Sequence, residues 1–490
     1  MTRPIKITLL AIALGAAFVG YHGYSDKTLS PTASNKLQDT ASASLPPATE
    51  FLTDEEIQSS LIMLNEHPDP LDLLNIGNNA LSENNYFAAY SAFSAAAQKY
   101  NTTAIIKLAE LLEMGAIGGK PEIDRALKLY NVAFDLGSLD ATLILANFYE
   151  LGINVPENVD KASHYYQIAA NKGNSKAIHW LIERAKSEPA FASQEQVLAW
   201  NLSLVDQGDA LAMIDAANAY YIGLGTKIDK TTSIKLLEKA IQADNDSARV
   251  MLATILLDDH DIQTDPVKAT ELLSISAGNN NPRAQALLGN ALSGFNDYKE
   301  FGIEPDNELA FKLIEKALDQ NLPLAHGYAG DFYLASFGPG VDLKKAVEHF
   351  EEGAKLGDPK SMIGLALRLK SGTGIDKDYD RANQLIDQAI SMNFPDAIFQ
   401  KGFVYEKGAG VPVDYAKAME YYHKAADLNI SSAAYHLGFM YEKGLGLIVD
   451  TNKALEWYKK ADELGDIRAK RKLDTYHKNG SFDVKNACDH

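Results

Sequence analysis

From about residue 70 onward the chain alternates short amphipathic stretches, and the last copy of the pattern is the clearest. It reads Ala433-x-x-x-Leu437-Gly438-x-x-Tyr441, then Gly444-Leu445-Gly446, then Asp450-x-x-x-Ala454-x-x-Trp457-Tyr458-x-x-Ala461. Residues four apart share one helix face, so Ala433, Leu437 and Tyr441 form a stripe that can meet Trp457, Tyr458 and Ala461 on a returning helix. Gly438 and Ala461 are small enough to let the two helices approach closely. Gly444 and Gly446 supply the permissive backbone that ends the first helix and turns the chain, as Gly408 with Gly410 and Gly372 with Gly374 do earlier. The unit predicted is a helical hairpin.

The hairpin repeats. Aligned on the small residue in the middle of the second helix, the copies fall at Ala89, Ala126, Ala162, Val197, Ser233, Ala269, Ala310, Ala346, Ala382, Ala418 and Ala454, with steps of 35 to 37 residues apart from one of 41. Four residues before these anchors stand Asn85, Glu122, Asn158, Ser193, Asp229, Asp265, Asp306, Asp342, Asp378, Asp414 and Asp450. All but Glu122 are residue types that accept a hydrogen bond from the unpaired amides of a first helical turn, so each marks a helix start. One hairpin cannot bury both its apolar faces, and copies must stack into a solenoid stabilised by nearest-neighbour packing.

These residues resemble the Sel-1-like repeats, relatives of the tetratricopeptide repeats with a period near 36 residues. The copy from Ala397 to Asn429 is close to that pattern throughout, with Gly402, Tyr405, Gly408-Ala409-Gly410, Asp414, Ala418, Tyr421-Tyr422 and Ala425-Ala426. The copy from Ala141 also matches well. The copy from Ala177 departs, carrying Ser187-Glu188-Pro189 where the glycine turn belongs, and the copy from Ala284 has five extra residues. The loops Ser187 to Gln194 and Ser293 to Pro305 are read as bends, contact points or tolerated insertions. The resemblance implies an all-α fold, a right-handed superhelical solenoid of about eleven two-helix repeats over residues 70–466. Residues 51–69, opened by Thr53-x-x-Glu56, are expected to cap it, and residues 467–490 to form a closing helix and polar tail.

Composition changes this picture little. Of 490 residues, 46% are hydrophobic and 23% charged, ordinary for a folded chain. The net charge of -19 disfavours nucleic acid and anionic lipid and admits either basic partners or a merely solubilising surface. At the N-terminus, Arg3 and Lys6 precede an uncharged stretch from Ile7 to Gly20, an export-signal pattern. Residues 1–24 are expected to be a signal peptide or a membrane anchor, and any membrane association to run through them alone. Residues 25–50, rich in Ser, Ala and Pro, read as a flexible linker. The single cysteine, Cys488, excludes an intramolecular disulfide and leaves the compartment undecided. Export implies a periplasmic location, free or anchored to the inner membrane, or secretion.

The chemical motifs dissolve into the repeat. Gly223-Leu224-Gly225, Gly372-Thr373-Gly374 and Gly444-Leu445-Gly446 follow helices and lack the third glycine of a dinucleotide fingerprint. The histidines show no metal-ligand spacing, and although His423 and His436 can approach across adjacent helices, packing is the simpler reading. Cys488 and His490 are too few ligands for a metal. No nucleophile elbow occurs, and Glu406 and Glu442 recur at one repeat position as solvated or groove-lining groups would. No cofactor is expected. The resemblance implies an exported scaffold or adaptor that binds other proteins, in bacterial members serving envelope assembly, secretion, signalling or host contact. The alternative is a hydrolase acting on cell-wall material or an antibiotic, since some cysteine-rich relatives carry such descriptions, but their paired cysteines are missing here.

At about 100° per residue, Tyr435 and Phe439 lie on the opposite side of their helix from the Leu437 stripe. One repeat earlier the same positions hold Phe399 and Phe403. First helices of such hairpins are expected to line the concave side, which makes these four rings candidate anchors for a partner, with Glu406 and Glu442 as an acidic rim. The competing reading packs the rings between adjacent first helices as core.

Overall fold

The computed structural model describes residues 64–67, 69–258, 264–295, 301–336 and 338–482, together with residues 53, 60, 62, 262 and 298. The signal or anchor segment, the linker, most of the capping segment and the tail with Cys488 lie outside the described residues. Among the described residues all regular structure is helical. The chain divides into two compact units, one through Ala212 and one from Met213.

In the first unit the helices are α1 (Pro70–Ser82), α2 (Tyr86–Ala97), α3 (Thr102–Glu113), α4 (Ile123–Asp135), α5 (Leu139–Leu151), α6 (Val159–Asn171), α7 (Ser175–Ser187) and α8 (Gln194–Asp206). The unit boundary falls within α9 (Ala210–Ile222). The second unit continues with α10 (Lys230–Gln242), α11 (Asp246–Asp258), α12 (Pro266–Gly278), α13 (Pro282–Ala291), α14 (Asn307–Asp319), α15 (Pro323–Leu334) and α16 (Leu343–Lys355). It ends with α17 (Pro359–Ser371), α18 (Tyr379–Ser391), α19 (Pro395–Lys407), α20 (Tyr415–Ala426), α21 (Ser431–Lys443), α22 (Thr451–Glu463) and α23 (Ile467–Asn479). Odd-numbered helices are the first helices of hairpins and even-numbered ones the second. Within each unit this is the expected all-α array of stacked two-helix repeats.

Every second helix starts at its expected cap. Ten of the caps accept a hydrogen bond from a first-turn amide, as Asp414 does from Lys417 N and Asp450 from Lys453 N, both at 3.0 Å. Glu122 begins α4 without capping it and pairs with Arg125 instead, at 2.8 Å. First helices are capped in the same way at several positions, including Asn101, Ser138, Asn174 and Asp358. At two caps with apolar side chains, Leu322 and Phe394, proline follows and removes one of the orphan amides, whereas Ser431 follows the third, Ile430.

Two turns close each repeat. The glycines identified at the end of first helices, among them Gly372, Gly408 and Gly444, take left-handed backbone with φ of 74°, 69° and 67°. The return turn has a left-handed residue too, directly before the cap of the next first helix: Gly137, Gly173, Asn393, Asn429 and Gly465 are examples, and Tyr100 fills the position once.

Aromatic side chains of second helices fill the hairpins. Tyr422 and Tyr458 are fully buried, and a Cβ on Gly402 or Gly438 would lie 2.7 Å from their rings, so glycine sets the approach of the two helices. The departing copy is pinned by side chains: Glu188 is buried and bonded to Arg184 at 2.8 Å, while Phe191 meets Trp180 edge-on at 6.4 Å. In the longer loop, Phe295 packs edge-on against Phe332 at 5.4 Å.

Candidate functional site

The candidate residues lie on α19 and α21, and the structure separates them into three environments. Glu406 and Glu442, at the ends of these helices, are buried. Glu406 accepts hydrogen bonds from the Tyr422 hydroxyl at 2.6 Å and from His436 Nδ1 at 2.8 Å, with Lys407 Nζ at 2.9 Å. Glu442 accepts from the Tyr458 hydroxyl at 2.6 Å and from Lys443 and Lys472 at 2.7 and 3.0 Å. An ionised carboxylate only accepts, so His436 carries its proton on Nδ1. The expected acidic rim is therefore corrected: these carboxylates are interior, held by tyrosine hydroxyls and paired with lysines.

The arrangement recurs. Glu150 accepts from the Tyr166 hydroxyl at 2.5 Å and from Trp180 Nε1 at 2.7 Å, and Glu113 accepts from the Tyr130 hydroxyl at 3.0 Å. In each case a carboxylate ending a first helix is held by a tyrosine of its own hairpin. In three of the four, Glu150, Glu406 and Glu442, a donor thirty residues on, in the next first helix, holds it as well. This clasp joins neighbouring repeats. Burial alone would raise the Glu406 carboxyl, but the hydrogen bond and charge of His436, with Tyr422 and Lys407, outweigh it and hold it at about 2. For Glu442, Lys443, Tyr458 and Lys472 likewise overcome burial and lower it. Burial and the neighbouring carboxylates push the Tyr422 and Tyr458 hydroxyls far up. Such a carboxylate is a structural anion, unsuited to exchanging protons near neutrality.

Phe399 and Tyr435 are half-buried and pack on the core. Phe399 lies 5.7 Å from Tyr422 and 5.5 Å from His436; Tyr435 lies 5.5 Å from Tyr458 and beneath the Arg468 guanidinium at 4.3 Å. Phe403 and Phe439, one turn further along, are half-buried as well. Phe403 meets the edge of His436 at 5.9 Å and carries the ammonium groups of Lys370 and Lys407 at 4.9 and 5.6 Å, while Lys443 lies 6.0 Å from Phe439. The ring contacts thus differ between the two pairs. Cations sit over the outer pair.

Beside Phe399 a cavity of about 330 Å³ opens between α15, α17, α19 and α21. Ile363, Gly364, Leu367 and Phe399 line its apolar part, and Asp331, Lys360, Asp396 and Gln400 are among its polar lining. A Cβ at Gly364 would fall 2.4 Å from the Phe350 ring packed behind it. The cavity was illegible in the sequence because its walls come from four helices spread over about a hundred residues.

The remaining candidates pack. His423 meets Trp457 edge-on at 5.1 Å, apart from the contacts of His436. A closer histidine pair has no signature in the residue spacing: His326 Nδ1 and His349 Nδ1 are 3.2 Å apart, and burial lowers the pKa of both imidazoles. Among the described residues no cluster of three or more His, Cys, Asp or Glu could hold a metal ion, and no helix is long and apolar enough to cross a membrane.

Comparison with known proteins meets this geometry at the level of the repeat. The Sel1 repeat model matches residues 102–138, 139–174, 210–245, 282–322, 323–358, 359–394, 395–430 and 431–466, each a first helix, its second helix and the return turn. The departing copy, 175–209, is not among the matches. An uncharacterized protein of Neisseria meningitidis is 34% identical over 130 residues, covering 26% of this chain and 25% of that protein. A chitin synthase regulator of Saccharomyces cerevisiae is 30% identical over 168 residues, covering 33% of this chain and 24% of that one. The chain thus spans about a quarter of the length of these curated relatives. In fold it is similar to a protective antigen of uropathogenic Escherichia coli strains, whose crystal structure displays an SLR fold: TM-score 0.53, 21% identity, covering 93% of this chain and 98% of that one. With the repeat model matching hairpin by hairpin over more than half its length, the chain belongs to the Sel1 repeat family.

Proposed function

We propose that this chain is an exported scaffold that holds a partner protein on the face of its first helices, in bacterial envelope assembly, secretion, signalling or host contact. Sel1 repeat proteins act as protein-interaction scaffolds and are typically non-enzymatic. The observation that carries the choice of face is the cavity beside Phe399, whose lining residues Phe399 and Ser432 stand one and two turns along their helices from Phe403 and Phe439. Half-buried aromatics beside a preformed hollow are the usual anchors of an interface. Export rests on the pattern of Arg3, Lys6 and the uncharged stretch from Ile7 to Gly20. The net charge of -19 steers a partner that is basic overall toward the molecule, whereas the groups nearest the rings decide what seats there.

The test places a photo-crosslinking residue at Phe439 on α21 or, as control, at the exposed Glu456 on α22 in the full chain expressed in its own cells. Capture of a discrete partner from Phe439 alone, in the envelope or extracellular fraction, is the expected result. Equal labelling from both positions would reject the first-helix face, and a cytosolic product that keeps residues 1–24 would reject export.

A further inference from the structure

We infer that the cavity between α15, α17, α19 and α21 seats an apolar side chain of an acidic peptide segment, and that Lys370 holds a carboxylate of that segment. This rests on the first-helix face being the docking surface. At about 330 Å³ the cavity is at the lower end of ligand clefts, about 300–1,000 Å³, and Ile363, Leu367 and Phe399 give it an apolar floor. That suits a single large side chain. Two lysines of α17 bracket it, ten residues and so about 15 Å apart along the helix. Lys360 lines the cavity and is already neutralised by Asp331 at 2.8 Å, with Asp396 also close enough to feel its charge.

Lys370 differs. Its ammonium bonds to Oε1 of Gln400, itself part of the cavity wall, at 3.1 Å and lies 4.9 Å from the Phe403 centroid, and it takes no carboxylate among the described residues. Burial pushes it down to about 8. The other cations along this edge are spent: Lys407 on Glu406, Lys443 and Lys472 on Glu442. A partly desolvated ammonium with only an amide oxygen and a ring face gains more from an incoming carboxylate than an already paired one does. The overall negative charge does not forbid this, because charges beyond about 8 Å are largely screened at physiological ionic strength. The anchor enters beside Phe399, and the acidic residue of the segment points toward the C-terminal end of α17, away from Asp331 and Asp396.

The test is fluorescence anisotropy on the full chain with three labelled decapeptides, all acetylated and amidated so that side chains carry the only charges. One has a central Phe flanked by Glu, the second replaces Glu by Lys, and the third replaces Phe by Ser. The first should bind at least about tenfold more tightly than either other, and Lys370→Gln should cost it about tenfold or more, the scale of a hydrogen bond to a charged group. Leu367→Trp, which fills the cavity, should abolish binding, and Lys344→Gln on α16 should change nothing. Equal affinity for the Glu and Lys peptides, or unchanged affinity in Lys370→Gln, would overturn the inference. If no peptide binds while crosslinking at Phe439 still captures a partner, the inference fails and the docking surface stands. If both fail, the face itself is wrong.

Discussion

Removing one oxygen from Tyr422 should loosen the joint between two repeats. Tyr422→Phe keeps the ring that lies against Gly402 but deletes the hydroxyl donating to Glu406 at 2.6 Å. A hydrogen bond to a charged group contributes about 1.5–3 kcal/mol, and a buried carboxylate that loses a donor is left under-satisfied. Because His436 and Lys407 remain, the cost should fall near the lower end, about 1.5 kcal/mol. In a solenoid that penalty is shared mainly with the adjacent hairpins. Hydrogen exchange of the α19, α20 and α21 amides should therefore accelerate by about tenfold or more, while distant α3 and α4 stay unchanged. Tyr421→Phe is the control, since that ring stacks on Tyr405 at 5.8 Å and its hydroxyl takes no part in the clasp. The effect must also depend on pH. With its folded-state carboxyl held at about 2 against an ordinary 4.5, Glu406 contributes fully above about pH 4.5, and its contribution, at most about 3 kcal/mol, is lost as pH falls through 2. The gap between Tyr422→Phe and the parent should close over that window. Equal acceleration in both tyrosine variants, or a gap that persists at pH 2, would refute the clasp.

Asp414→Ala should cost about 0.5–2 kcal/mol in thermal or denaturant melting, because it orphans the Lys417 amide, whereas Glu122→Ala should cost little, since that side chain caps nothing. Phe439→Ala should leave melting nearly unchanged and reduce crosslinked partner, while Tyr435→Ala should cost about 1–2 kcal/mol through its half-buried contacts with Tyr458 and Arg468. Deleting residues 359–394 in phase should leave a shorter helical protein that melts cooperatively; deleting 18 residues of that copy should leave an unpaired apolar helix and aggregation, visible by light scattering.

The hairpin, its period and its caps were legible because each rests on contacts a few residues apart. Asp414 meets an amide three residues on, Gly444 turns its own helix end, and both recur often enough along the chain to set the register. Even the failure of Glu122 as a cap follows from its residue type. The return turns emerged only in the structure: Gly137, Gly173 and Asn393 stand there in left-handed backbone, and so does Tyr100, whose residue type carries no such signal.

What the sequence could not show depends on residues brought together from different repeats. Glu406 sits where an exposed glutamate would sit on an isolated helix. A tyrosine sixteen residues later and a histidine thirty later cover it and bond its carboxylate, and Lys407 pairs with it where an acidic rim was expected. Phe399 and Phe403 are one turn apart on one face, and periodicity treats them alike. Tyr422 and His436 draw Phe399 toward the core, while two lysines settle on Phe403. Residue spacing along a helix sets which side chains share a face, but their burial and charge environment are set by what the neighbouring helices place against that face, and that is decided only when the repeats stack.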